Sequence, residues 1–268
     1  MLITAVLIAL GVYGVIFTTA GTTSVAIANR QADVTRSALA QARDALIGRS
    51  ASDNNRPGSL PCPDTNDDGV AEIFAGSDCP SYVGRLPWKS LGLPDLRDAN
   101  GERLWYSLST RFRDNAAAEP INSDTKGNFT IYHGTTATFA LTEVVAVIFA
   151  PGPTVSGQAR GTVAEQNDAA NYLDSTAGVN NATPLLNSNA PSFIRAPSSA
   201  TFNDTLLAVT TFDLMPMVEK RVAGEILALL QAYRTAGGNW CNCYPWADHS
   251  DGSSNNDNAW GRVPLVSS

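Results

Sequence analysis

The chain has 268 residues and fifteen prolines, and none of those prolines comes before Pro57. Proline breaks helix interiors, so this absence permits one continuous helix of up to about fifty residues, roughly 75 Å long. The first part, LITAVLIALGVYGVIFTTA (Leu2 to Ala20), is apolar, and no charged side chain occurs before Arg30. At about 1.5 Å per residue such a run matches a bilayer core, so a membrane-spanning helix is the first expectation. A buried core helix and a secretory signal peptide are the alternatives. The signal peptide needs a positive n-region, which Met1-Leu2-Ile3-Thr4 lacks. Gly11, Gly14 and Gly21 interrupt the run, and each costs on the order of 1 kcal/mol relative to alanine, so part of the helix between Gly11 and Thr23 is expected to be stretched or melted.

The second part, ANRQADVTRSALAQARDALIGRS, is amphipathic. Val34, Ala38, Ala42, Ala45 and Leu46 recur at three- and four-residue spacing, which predicts a stripe of mostly small side chains packed on the body. Arg30, Arg36, Arg43 and Arg49 follow the apolar run, and by the positive-inside rule they place the body in the cytoplasm. The rest of the composition points outward. Only 16% of residues are charged, the net charge is −7, and the four cysteines suit disulfides in an oxidising compartment. The two indications agree if a basic leader preceded Met1 and was removed. No lysine–arginine cluster can neutralise a phosphate backbone, so nucleic acid is not an expected partner.

After the helix, Pro57-Gly58, Pro61, Pro63 and Asp68-Gly69 are turn signals. Strands are expected at Leu104 to Leu108 after the Asn100-Gly101 turn, then at Asn128 to Tyr132, Ala137 to Leu141, Val144 to Phe149, and within Thr201 to Leu214. The polar stretch from Gly157 to Pro197 reads as a surface excursion with one short helix near Ala164 to Asp174. A second helix is expected over Leu214 to Ala236, stopped by Gly237-Gly238. Its apolar face is Met217, Val218, Val222, Ile226, Leu229, Leu230 and Tyr233. Residues 36–96 and 216–266 echo each other, and Gly84-Arg85-Leu86-Pro87 matches Gly261-Arg262-Val263-Pro264. Duplication and chance similarity of turn-rich segments both account for this. The fold class expected is α+β: a long N-terminal helix, residues 1–29 its transmembrane or filament-core half, packed on an antiparallel sheet in a body of residues 30–268 with a second, C-terminal helix.

With these features the chain resembles type IV pilins and the pseudopilins of type II secretion. The resemblance rests on the uncharged apolar start, on the proline-containing helix exit, and on DANGERLWY (Asp98 to Tyr106), which is similar to the family's strand entry. It covers about residues 1–112 and, through the echo, 214–264, and it implies a lollipop-shaped subunit that polymerises through its helix. It implies removal of the leader by a prepilin peptidase, a methylated Met1, handling by an inner-membrane pilus assembly machinery, and a final place in an extracellular filament. The partners are copies of the chain itself or other pilins, and the assembly residues are Met1, Ala5, Val6, Gly11, Gly14 and Phe17. The family usually has glutamate where this chain has Ala5. Its absence is typical of minor, tip-located members, and an unpaired buried ammonium is costly. The alternatives are therefore a minor tip or priming pilin, a secretion pseudopilin and, from another class, a membrane-anchored periplasmic binding protein or enzyme.

Asp64-Thr65-Asn66-Asp67-Asp68-Gly69 fits the first half of a calcium loop, with Asp64, Asn66, Asp68, the Val70 carbonyl and Glu72 as candidate ligands. The twelfth position, where a bidentate glutamate belongs, is Ala75, so the full motif fails. A structural calcium completed from elsewhere, as in pseudopilins, and a plain Asx-turn loop both remain open. A second loop with Asp248, Ser250 and Asp251 is weaker. Cys62 and Cys79 are the expected disulfide; Cys241 and Cys243 either close a very small ring or cross-pair with the first two. No haem-attachment, P-loop, nucleophile-elbow or zinc-protease motif occurs, so no catalytic residue, haem or nucleotide is assigned. His133 and His249 read as ordinary polar residues, and Trp88, Trp105, Trp240, Trp246 and Trp260 as packing. Asn128, Asn181 and Asn203 each open an N-x-T sequon that chance suffices to explain.

Overall fold

The architecture is that of a computed structural model, which describes residues 2–115, 119–184, 191–237 and 242–244, with side chains from residue 24 onward. Helix α1 (Leu2–Ser52) is unbroken over 51 residues, as the missing prolines allow. Then come β1 (Val83–Arg85), β2 (Trp105–Leu108), β3 (Phe129–His133) and β4 (Thr138–Ala150). The short elements α2 (Val163–Asn167), β5 (Ser175–Thr176) and β6 (Val179–Asn180) precede β7 (Ser192–Arg195), β8 (Thr205–Thr210) and α3 (Thr211–Thr235). Met1–Pro216 and Met217–Ser268 are two separate compact units.

The expected antiparallel sheet is corrected to a curled, mixed one. Its order is β1-β2-β4-β3-β7, with β8 also on β4, and β3 pairs with β7 in parallel. Parallel neighbours need a crossover of a dozen or more residues. The polar excursion between β4 and β7 supplies it, and β7 lies inside the stretch that sequence reading took for surface loop. The two strands expected at Ala137 to Leu141 and Val144 to Phe149 are one strand, β4. Polar Thr142-Glu143 does not end it: Glu143 adopts φ 59 and the register against β8 shifts between Val144 and Ala146. Such a bulge bends a strand without ending it. The pilin-like form expected for the whole chain is thereby replaced by an α+β body on this bent sheet.

The transmembrane expectation for residues 1–29 finds no support in the described side chains. Among the described residues no helix is long and apolar enough to cross a membrane. The side chains of α1 described from Ser24 onward include the polar Asn29, Arg30, Gln31 and Asp33, and all of these are exposed. The apolar stretch Leu2 to Ala20 and the assembly residues Ala5, Val6, Gly11, Gly14 and Phe17 belong to the part of α1 whose side chains lie outside the description, and Met1 lies outside the described residues altogether. Between Gly11 and Thr23 the helix is continuous rather than melted.

The small-residue stripe of α1 seats on the body, but it begins at Ala38: Ala38, Leu39, Ala42 and Leu46 are buried, whereas Val34 is 46% exposed. It meets β4 and β8. Alanines let the helix axis approach the strands closely, so the stripe needs few large side chains. One sheet face packs Trp105, Val147, Phe149, Phe193 and Tyr172 into a cluster with no α1 residue. Tyr106 and Ile148, paired in register and alternating with Trp105 and Phe149, belong to the other face.

Helix α3 starts at Thr211, three residues before the expected Leu214. The Thr210 hydroxyl accepts from the Asp213 N–H at 3.2 Å and the Asp213 carboxylate accepts from the Thr210 N–H at 2.9 Å, a reciprocal cap that joins β8 directly to the helix. Along α3, Val222, Ile226, Leu230 and Tyr233 are half-buried and Val218 is buried, while Met217 and Leu229 are exposed, contrary to the apolar face expected of them.

Candidate functional site: a cavity beside the aspartate loop

The chain leaves α1 through an Asx turn. The Asp53 carboxylate accepts from the N–H groups of Asn55 and Arg56 at 2.8 and 2.7 Å, and Gly58 N–H caps the Ser50 carbonyl at 2.9 Å. Hydrogen bonds to the Arg56 N–H and the Arg49 guanidinium hold Asp53 below the usual carboxylate range against the opposing effect of burial. Cys62 and Cys79 form the expected disulfide across 17 residues, which excludes their cross-pairing with the later cysteines. Cys243 is also disulfide-bonded. Cys241 lies outside the described residues, as do the second acidic loop, Trp240, Trp246, Trp260, His249 and the Gly261-Arg262-Val263-Pro264 match of the echo.

The aspartate loop follows. Asp64 is 1% exposed, and its carboxylate accepts from the N–H groups of Asn66, Asp67 and Gly69 at 3.0, 2.7 and 2.7 Å. Burial nevertheless pushes its pKa up, because desolvation outweighs these three bonds. Asn66 and Asp68 each accept from the N–H two residues ahead, at 3.0 and 2.7 Å. Glu72 accepts from the Thr65 N–H and hydroxyl at 3.1 and 2.7 Å. The side chains of Asp64, Asn66 and Asp68 thus form a chain of Asx turns. Among the described residues no group of three or more acidic, histidine or cysteine side chains is gathered to hold a metal. Gly69, at φ +83, lies where a Cβ would come within 2.5 Å of the Trp88 ring nitrogen, so the turn and the packing both need glycine.

The loop is pinned to β1 by paired backbone bonds, Asp64 N–H to the Arg85 carbonyl at 3.0 Å and the reverse at 2.6 Å. Gly84 permits the contact, since a Cβ there would sit 2.5 Å from the Asp64 carbonyl oxygen. Behind this junction lies a cavity of about 240 Å³, walled by Asp64, Thr65, Ser81, Arg85, Trp105 and Asp168 among others. Arg85 is 5% exposed. Its guanidinium carbon stacks 4.5 Å from the Tyr172 ring and 4.8 Å from the Trp105 ring, and Nη2 donates to the Gln166 carbonyl at 2.8 Å. Arg160 stacks on Tyr172 as well, at 4.2 Å. Asp67, in the left-handed region at φ 66, lies 2.9 Å from Arg85 and 2.8 Å from Arg103.

Deeper in the same unit, Asp174 and Asp204 are both 4% exposed. Asp204 accepts from the Asp174 N–H at 2.8 Å and from the Asn181 amide at 2.9 Å; Asp174 accepts from the Asn203 N–H at 2.6 Å and from Gln158 at 2.8 Å. Burial, then the neighbouring Asp174 carboxylate, pushes Asp204 up to about 8. The sequon residue Asn181 is fully buried, and its amide is also bonded to both backbone groups of Ile194, so it is no site for a sugar.

Sequence reading missed Arg85, Tyr172, Arg160 and the aspartate pair. The signal available was Arg85 itself, one charge inside the apolar stretch Tyr82 to Trp88. No family model, no curated protein and no solved structure matches the chain.

Proposed function

We propose that the protein is a subunit of a type IV pilus-like filament, assembling with copies of itself or with related subunits through the N-terminal half of α1. The observation that carries this reading is the division of that helix. From Ala38 its stripe is seated on the sheet, while every described residue from Ser24 to Val34 is exposed along an unbroken helix. A helical segment without tertiary packing is marginal in water, so one that extends past its own body is stabilised by a partner surface. Neighbouring copies of the same apolar run, Leu2 to Ala20, are such a surface. The disulfide suits an oxidising exterior. Processing by a prepilin peptidase and delivery by an inner-membrane assembly machinery go with this reading, and Ala5 favours a minor, tip-located subunit over a major one.

A second reading, an extracytoplasmic binding protein, is favoured by the walled cavity at Arg85. Electron microscopy of native material separates the two: helical fibres mean a major subunit, a single copy at a fibre end means a tip protein, and absence from any fibre defeats the filament reading. Val6→Asp in the full chain should abolish incorporation while leaving the thermal unfolding of the body unchanged. Incorporation at the wild-type level would count against the helix as the assembly surface.

A further inference from the structure

The segment from residue 153 to residue 182 joins the aromatic cluster through Tyr172, Leu173 and Ala182. Asp174 and Asn181 are its other buried residues, and the rest are half-buried or exposed. Much of its polar fastening converges on Asn203 and Asp204, just ahead of β8. Asp204 Oδ2 accepts from the Asp174 N–H and the Asn181 amide, Asp174 Oδ2 accepts from the Asn203 N–H, and the Asn203 amide donates to the Pro153 carbonyl at 2.6 Å. Asp204 Oδ1 is buried and accepts no hydrogen bond, and the two aspartate side chains are hydrogen-bonding neighbours. Ionised carboxylates only accept, and two of them in contact at a buried site cannot both ionise. A proton on Asp204 Oδ1, donated to Asp174, gives the unpartnered oxygen its bond.

The surrounding charges do not relieve the pair. Among the described residues Arg160 is the cation that acts on both aspartates. Its guanidinium is already bonded to the Glu102 carboxylate at 2.9 Å, to the Asn171 and Gly152 carbonyls at 2.8 and 3.1 Å, and to Gln158 at 2.7 Å. Asp98, which accepts from the Gly152 N–H at 2.8 Å, adds a third carboxylate on that side. Arg85 stacks on Tyr172 but is ion-paired with Asp67, and Arg195 of β7 is exposed. Asn181, which follows β6, is neutral.

We propose that the Asp174–Asp204 pair is a pH-operated latch: while it shares a proton it holds residues 153–182 closed, and when that proton is lost the segment opens locally with the sheet still folded. The opening is local because β7 and β8 have their own ladders on β3 and β4, whereas the segment is tied through the two carboxylates. The closed segment holds a proton that the open one has released at neutral pH. The opening equilibrium therefore rises with pH, by about tenfold per unit, from the ordinary carboxylate range up to the raised value of Asp204.

Amide hydrogen exchange in the full chain, read by nitrogen-15 NMR and corrected for the intrinsic rate at each pH, tests this. Between about pH 5 and about pH 8 the opening constants at Leu173, Asp174 and Asn181 should rise about tenfold per unit. That at Ile148, in β4 between β2 and β8, should not follow them. Asp204→Asn, whose amide can donate to Asp174 at every pH, should flatten the rise. If that variant does not fold, carbon-13 spectra of the wild-type aspartate carboxyls decide, since one should still be protonated at about pH 6. Opening independent of pH, an equal rise in folded Asp204→Asn, a parallel rise at Ile148, or no protonated aspartate carboxyl at about pH 6 would each overturn the proposal.

Discussion

Arg56 closes the helix exit almost alone. It is 6% exposed, and its guanidinium donates to the carbonyls of Asn115, Glu119 and Arg111 at 2.5, 2.6 and 3.3 Å. Desolvation, then the nearby Arg113, lowers its pKa, and Asp114 opposes both. The three carbonyls, rather than a salt bridge, hold this buried cation, so its geometry does the stabilising. Lysine presents three donors from one point and cannot span carbonyls of residues 111, 115 and 119 as a planar fork does. Arg56→Lys should therefore cost about 2–4 kcal/mol, measured as a fall in the urea midpoint at constant slope. A loss below about 0.5 kcal/mol would mean the three carbonyls are served equally well by water.

At the scale of elements, the excursion between β4 and β8 is fastened by the Asp174–Asp204 pair. Each carboxylate accepts a backbone N–H of the partner segment: Asp204 from Asp174, and Asp174 from Asn203. The charged groups that act on the pair are Asp174, Asp204 and Arg160, and Asn181 adds a neutral donor. Because the pKa of Asp204 is raised on folding, the folded state holds a proton that the unfolded chain has lost. Its contribution is complete below the ordinary carboxylate value near 4 and is lost as pH rises through about 8. Stability should fall between about pH 5 and about pH 9, and Asp204→Asn, a neutral stand-in for the protonated acid, should remove that slope. Denaturant midpoints at the two pH values check this; an unchanged slope in the variant would assign the titration to other groups. None of this was legible in the chain, where Asp174 and Asp204 are thirty residues apart in polar sequence. The same holds for Tyr172, which the excursion after β4 brings to Arg85 and Trp105, themselves register partners across β1 and β2. What could be read was local: the proline-free helix, the turn residues from Pro57 to Gly69, the short disulfide and the α3 periodicity. Parallel pairing of β3 with β7 and the bulge at Glu143 depend on contacts between distant segments, and neither hydrophobic alternation nor turn composition encodes them.

For the whole molecule, the division of α1 ties the fold to the proposed filament. A residue such as Ala42, fully buried, cannot open its helical hydrogen bond without disturbing the packing of α1 on the sheet, whereas the turns from Ser24 to Val34 are exposed. Local opening free energy follows tertiary contact, so amide exchange should be uneven along one continuous helix. In the unassembled protein the amides of residues 24–34 should exchange orders of magnitude faster than those of residues 38–50, which should approach the protection of β4. On assembly into fibres the first group should become protected and the second should change little, because only the first gains a partner. Hydrogen–deuterium exchange on monomer and fibre, resolved by peptide, reads both quantities. Equal protection along α1 in the monomer would mean that the exposed half already has a partner within the chain and needs no filament to stabilise it.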